Sequence, residues 1–212
     1  MDNRKGMFIF KNSGFRKAIV GVIRFGIRLL ADLHIYHSEN MINDGAVMFA
    51  ANHLSFFDAV VLQSVIKRPL CFMGKAELFE NPLVAWFFNQ LGAFPVKRGE
   101  FDRQSILNAK SVLDAGLAMM MFPEGTRTYG KGMVEARNGT AYIAMRNRCP
   151  IVPVAISGSE KILKSGLRRA TVEITFCEPI AAAEKETAGE FTSRMMRSIA
   201  GRLPEKLRGF YA

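Results

Sequence analysis

Cysteine and histidine are both scarce in this chain of 212 residues, with three of each. Cys71, Cys149 and Cys177 lie far apart and lack the paired spacing of a zinc site or a disulfide framework, so a reducing, cytoplasmic setting is expected. Without a compact ligand cluster, no metal and no redox cofactor is expected. Residues 1–12 show no long apolar core followed by small residues, and so do not read as a secretory signal. A convincing membrane span is missing too. The mostly apolar stretch from Val47 to Ile66 carries His53 and Asp58 near its middle, where desolvation is costly. No internal repeat or low-complexity linker divides the sequence. Apolar residues are plentiful at 49%, which argues against disorder and for a single substantial core.

The net charge of +10 predicts an anionic partner, and its distribution is uneven. The first 31 residues hold seven basic groups (Arg4, Lys5, Lys11, Arg16, Lys17, Arg24, Arg28) and one acidic group, Asp2. With helical periodicity over residues 15–30, Phe15, Ile19, Val22, Ile23, Phe25, Gly26, Leu29 and Leu30 fall on one broad side. Arg16, Lys17, Arg24 and Arg28 gather opposite, with Val20 and Ile27 intruding among them. Residues 1–31 therefore read as a basic amphipathic segment suited to an anionic membrane surface, and 32–212 as one domain. An ordinary helix closing the core is the plainer alternative. Nucleic acid is not expected as a partner: a phosphate-binding face has no need for a wide apolar side, and basic and aromatic residues are not interleaved.

Beyond this segment, strand and helix signals alternate. Asp32 to His37 alternates as a strand does, and neither His34 nor His37 has an evident carboxylate partner. Short apolar runs at 46–51, 70–73, 93–96, 117–122, 151–156 and 171–176 read as strands. Between them, helices are expected over 56–65, from near Glu77, over 83–91, 102–115 and 136–146, with a last one over about 188–203. The alternation predicts an α/β fold with a mixed central sheet flanked by helices.

Three segments carry chemistry. In Asn52-His53-Leu54-Ser55-Phe56-Phe57-Asp58, a strand end delivers His53, and a turn into helix brings Asp58 within reach of its ring. In Phe122-Pro123-Glu124-Gly125-Thr126-Arg127, Gly125 permits close backbone approach, Thr126 offers a hydroxyl and Arg127 a planar fork for phosphate. Arg98 follows another short strand and can converge on the same side. A helix-start histidine and a salt-bridged turn are the purely structural alternatives.

These segments, with Gly92-Ala93-Phe94-Pro95-Val96-Lys97-Arg98 and Ile151-Val152-Pro153-Val154, occur in the order of the four blocks of the glycerolipid acyltransferase family. The chain resembles that family over roughly residues 35–180, most of all its bacterial 1-acyl-sn-glycerol-3-phosphate acyltransferases. The resemblance implies His53 as general base and Asp58 as its partner. It implies Arg98, Lys97, Glu124, Gly125, Thr126 and Arg127 as the binding region for the acceptor phosphate, with Lys75 as a further ligand. Asn52, Phe122, Pro123, Val152 and Pro153 would shape the acyl pocket or its frame. The implied reaction is direct acyl transfer from acyl-coenzyme A or acyl carrier protein to the sn-2 hydroxyl of lysophosphatidic acid, giving phosphatidic acid at the cytoplasmic face of a membrane. Histidine, with an ordinary pKa of about 6.5, suits the proton transfer. The oxyanion would need a donor such as a backbone N–H after Asn52 or near Gly125. Ser55 and Cys71 are the candidates for an acyl-enzyme route, although Ser55 lacks a nucleophile-elbow pattern. Another lysophospholipid or glycerol 3-phosphate as acceptor, and a non-catalytic membrane-binding protein, stay open as alternatives.

Overall fold

The computed structural model describes residues 8, 10, 12–97, 102–164 and 168–212. Seven strands form one sheet in the order β1-β7-β6-β2-β5-β3-β4, where β1 is Ala31–Tyr36, β2 Val47–Ala51, β3 Leu70–Lys75, β4 Ala93–Val96, β5 Ala118–Met121, β6 Ile151–Ser157 and β7 Ala170–Phe176. Every neighbouring pair is parallel except β6 and β7, which makes the sheet mixed. All five residues of β2 are buried because both faces of the sheet are covered, so its sequence is continuously apolar. Each fully buried Val or Phe there contributes roughly 1.5–3 kcal/mol. The strand β7 alternates buried and exposed positions and reads accordingly.

The helices are α1 (Gly14–Leu30), α2 (Phe57–Val65), α3 (Pro82–Gln90), α4 (Arg103–Asp114), α5 (Gly139–Arg146), α6 (Ala188–Ala200) and the short α7 (Glu205–Arg208). Met48, Ala50 and Met119 face one core with α4, α5 and α6; Val47, Phe49 and Ala51 face a second with α1 and α2. The helix α6 begins with a capping box between Thr187 and Glu190, and α4 is capped by Asp102.

Two expected helices differ. The one near Glu77 is a single tight turn, Ala76–Phe79, because Asn81 caps a new helix almost at once. Residues 136–138 stay outside α5, since Ala136 N–H donates to the Tyr211 hydroxyl and Arg137 N–H to the Pro123 carbonyl.

The helix α1 packs through its narrower side. Its buried residues are Arg16, Val20 and Ile27, drawn from the side expected to be basic. Its wide apolar side is left outside, with Val22 71% and Phe25 66% exposed and Phe15 and Leu29 also exposed. The narrow Val20/Ile27 stripe packs toward α2, and Arg24 donates to the carbonyls of Ser64 and Ile66, which α2 leaves unpaired at its C-terminus. His34 and His37 also differ from expectation: each meets a neighbouring carboxylate, Asp32 at 3.3 Å and Glu39 at 3.2 Å, on the exposed surface.

Candidate active site

Where β2 ends, Asn52 replaces the backbone ladder with its own side chain. Its amide donates to the Ile156 carbonyl at 2.9 Å and accepts from the Ile156 N–H at 2.8 Å. The main chain then turns away from the sheet at His53. Asp58, in the first turn of α2, collects this turn on one carboxylate. Its Oδ2 accepts from His53 Nδ1 at 2.7 Å, Leu54 N–H at 2.7 Å and Ser55 N–H at 2.8 Å. The hydroxyl of Ser159 donates to Oδ1. Asp58 is fully buried, so its charge is balanced by these donors and by the N-terminal dipole of α2. With Nδ1–H given to Asp58, neutral His53 keeps Nε2 as its free lone pair, the state a general base requires. Phe122 stacks on the imidazole with centroids 4.0 Å apart and planes 17° from parallel.

The loop after β5 grips the same residue from the other side. Glu124 Oε1 accepts the His53 main-chain N–H at 2.7 Å, and its Oε2 accepts Val134 N–H at 2.9 Å. Thr128 N–H returns to the His53 carbonyl at 2.9 Å, and Tyr129 N–H to that of Leu54. Burial pushes the Glu124 carboxyl above the ordinary carboxylate value, against the pull of those backbone donors. Gly125 closes the turn with φ +67°, a left-handed conformation that favours glycine.

A cavity of about 560 Å³ opens at the C-terminal ends of β3, β4 and β5, where open α/β sheets place ligands. His53, Phe122 and Pro123 form one end of it; Phe72, Met121, Ile106 and Ile143 are among its apolar walls. Lys97, Gly125, Arg137 and the first turn of α5 also line it.

Several expected site residues fall elsewhere. Glu124 was expected near acceptor phosphate, but both its oxygens are bound to backbone donors and it is absent from the cavity wall. Lys75 pairs with Glu77 at 2.8 Å on the surface. Thr126 and Arg127 are exposed outside the cavity wall, the latter over the Tyr129 ring. Arg98 lies outside the described residues. Val152 and Pro153 are buried within β6 and belong to the frame, as does Asn52. The N–H groups of His53, Leu54 and Ser55 are committed to carboxylates and that of Gly125 to the Phe122 carbonyl, which leaves none of these four for an oxyanion. Ser55 is buried and bonded to Ser159 and Phe57 N–H; Cys71 is buried in β3, its thiol pushed up to about 12. Neither is placed as a nucleophile.

Sequence reasoning missed Ser159 and Arg137. Gly158, with φ +85°, delivers Ser159; a Cβ there would lie 2.1 Å from the Thr171 carbonyl oxygen, so only glycine fits. The Gly158-Ser159 pair after a strand was the only local signal. Among the described residues, no group of three or more His, Cys, Asp or Glu is placed to hold a metal.

A model of the acyltransferase family matches residues 32–157, which contain His53, Asp58 and the loop after β5. The chain belongs to that acyltransferase family. Among similar acyltransferases, the 1-acyl-sn-glycerol-3-phosphate acyltransferase of Bacillus subtilis is 27% identical over 79% of this chain and 83% of its own length. The enzyme of that name from Streptococcus pneumoniae is 30% identical over 68% of this chain and 54% of its own. The chain spans about half the length of the similar Arabidopsis thaliana chloroplast acyltransferase, 46%. In fold, the crystal structure of the 1-acyl-sn-glycerophosphate acyltransferase of Thermotoga maritima superposes with a TM-score of 0.71 at 24% identity, covering 87% of this chain and 78% of that one.

Proposed function

We propose that this acyltransferase moves a fatty acyl group from an acyl thioester to the sn-2 hydroxyl of 1-acyl-sn-glycerol 3-phosphate, forming phosphatidic acid. The observation that carries the reading is the His53 Nδ1 to Asp58 bond of 2.7 Å at the end of an apolar cavity. The names of the similar enzymes support the choice of acceptor.

In this reading Nε2 of His53 takes the proton of the acceptor hydroxyl as its oxygen bonds to the thioester carbonyl carbon. The carbon–sulfur bond then breaks, and the imidazolium returns its proton to the departing thiolate. Asp58 holds the ring and stabilises its cation. Lys97 and Arg137, which line the cavity, hold the acceptor phosphate in this reading, which fixes the hydroxyl beside the thioester. Arg98 and Arg127 neighbour these groups in sequence and in the loop. The first turn of α5 presents backbone donors to the same cavity and is suited to the oxyanion or the phosphate.

The acyl donor is acyl-coenzyme A or acyl carrier protein, both anionic and matched to the cationic chain. We also place the enzyme on the cytoplasmic face of an anionic membrane. Phe15, Val22, Phe25 and Leu29 of α1 are exposed, and at the start of that helix Phe15 contacts Trp86 of α3 with centroids 5.1 Å apart, where Leu83 is 79% exposed. Lys17 and Arg28 are also exposed on α1. Such a surface rests in the interface rather than crossing it. Among the described residues no helix is long and apolar enough to cross a membrane.

The test is incubation of purified protein with lysophosphatidic acid and a long-chain acyl thioester on either carrier. Phosphatidic acid is the expected product. Its persistent absence with both donors overturns the reading, and product only from another lysophospholipid or glycerol 3-phosphate reassigns the acceptor.

A further inference from the structure

A second cavity, of about 320 Å³, lies between α1 and the connection from α2 to β3, and shares no lining residue with the catalytic one. Its lining includes Arg16, Lys17, Arg24, Lys67 and Arg68 and, among the described residues, no carboxylate. Two of these cations are already engaged: Arg24 with the end of α2, and Arg68 with the carbonyls of Ile42, Gly45 and Gly116.

Arg16 is different. It is only 4% exposed, yet among the described residues its Nε and Nη2 have no hydrogen-bond partner; the Phe10 ring lies 4.9 Å away and Cys71 is the one group that favours its charge. Gln63, also 4% exposed on the same wall, leaves its Oε1 without a donor among the described residues. A buried guanidinium without an anion destabilises a fold, and burial lowers its pKa accordingly. The two orphaned side chains ask for complementary things: an anion that accepts from Arg16 and a hydroxyl that donates to Gln63.

We propose that this cavity is a phosphate-binding site, separate from the acceptor site, in which Arg16 holds the anion from within and Lys17 and Lys67 hold it at the rim. The ligand chemistry is a phosphate bearing or accompanied by a hydroxyl. Hydrogen phosphate offers this, as do soluble phosphate esters and a glycerophosphate lipid headgroup. Lys17 lines this cavity and is exposed on α1, the helix that also carries the exposed apolar side, so a headgroup at that helix is a candidate source. The proposal rests on no catalytic step.

The experiment follows the thermal stabilisation of the full chain by inorganic phosphate in wild type, Arg16→Met and Lys67→Gln. Arg16→Met is expected to be at least as stable as wild type without phosphate and to lose most of the phosphate-dependent rise in Tm. Lys67→Gln, an exposed change that keeps turnover on detergent-dispersed substrate, is expected to weaken phosphate about tenfold through loss of one charge-assisted contact. Unaltered phosphate affinity in both variants overturns the site; if Arg16→Met fails to fold, Lys67→Gln alone decides. Sedimentation with phosphatidylcholine vesicles, with and without phosphatidylglycerol, separates the sources. A parallel loss of binding to the anionic vesicles in the variants identifies a lipid headgroup, and unchanged vesicle binding identifies a soluble phosphate ester in the same site. Because turnover is read separately, failure here is distinct from failure of the acyltransferase assignment.

Discussion

The main-chain N–H of His53 donates to Oε1 of Glu124 at 2.7 Å, across 71 positions of sequence. The imidazole's place is thereby fixed from its backbone as well as from its ring. Glu124→Gln exchanges one of two acceptors for an amide donor, which then faces either His53 N–H or Val134 N–H. The expected loss is about 1–3 kcal/mol of stability, with reduced kcat. The pH dependence has a definite sign. The Glu124 carboxyl is raised in the folded state from its ordinary 4.5, so its stability contribution is full below that value and declines as pH rises through the folded pKa. Urea unfolding at pH 4 and pH 8 is therefore expected to show a smaller gap between wild type and variant at the higher pH; a gap that widens contradicts the raised pKa.

His53→Ala is expected to lower turnover by about 10²–10⁴-fold, the usual contribution of a general base, while the fold and vesicle binding persist. Asp58→Asn is expected to lower it comparably and also to destabilise the turn, because an amide cannot accept from ring, two backbone N–H groups and Ser159 together. Retained turnover in His53→Ala would remove histidine from the reaction.

Phe122→Leu keeps the cavity apolar but removes the ring stacked on His53. With stacking worth about 0.5–1.5 kcal/mol, kcat is expected to fall several-fold at nearly unchanged KM for the donor. A change confined to KM would make Phe122 a wall of the acyl cavity and nothing more.

Arg137→Gln and Arg127→Gln separate two cations by position. Arg137 lines the cavity and Arg127 does not, so the former is expected to raise KM for lysophosphatidic acid the more. Neither is expected to affect a nonphosphorylated acceptor to that extent. Steady-state kinetics on both acceptors makes the comparison, and a larger effect at Arg127 returns it to the phosphate.

All three cysteines are buried, and burial raises each thiol, Cys71 to about 12 and Cys149 to about 11. At neutral pH they remain protonated. Intact-mass analysis after iodoacetamide is expected to show little alkylation of native protein and three additions after denaturation; a covalent acyl adduct on Cys71 would contradict direct transfer.

Much of the sheet was legible because its strands are short apolar runs closed by glycine, proline or polar residues, and the buried β2 leaves almost no other reading. His53 and Asp58 were legible because five residues across a strand-to-helix turn bring them together by local geometry alone. The partners of that pair were harder. Glu124 was expected in the phosphate-binding region, but its bond to a backbone N–H is set by the packing of two distant loops. Ser159 arrives from the end of β6 with no pattern beyond its glycine. The helix α1 was legible as a helix with two unlike sides, but the residues through which it packs were not. A helical wheel finds the widest apolar side, whereas the side that packs is the one that fits α2, here Val20 and Ile27 beside two arginines.

Asn52 separates two kinds of control over the chain. Before it, positions are dictated by strand pairing with β5 and β6; after it, by a carboxylate in α2 and another in the loop after β5. Its side chain imitates a peptide unit, offering Ile156 one donor and one acceptor, so the sheet loses no hydrogen bond where the backbone departs. Aspartate at that position supplies acceptors alone and strands the Ile156 carbonyl. The frontier between scaffold and chemistry is one amide wide, and only a group that reads as backbone on one side can release backbone on the other.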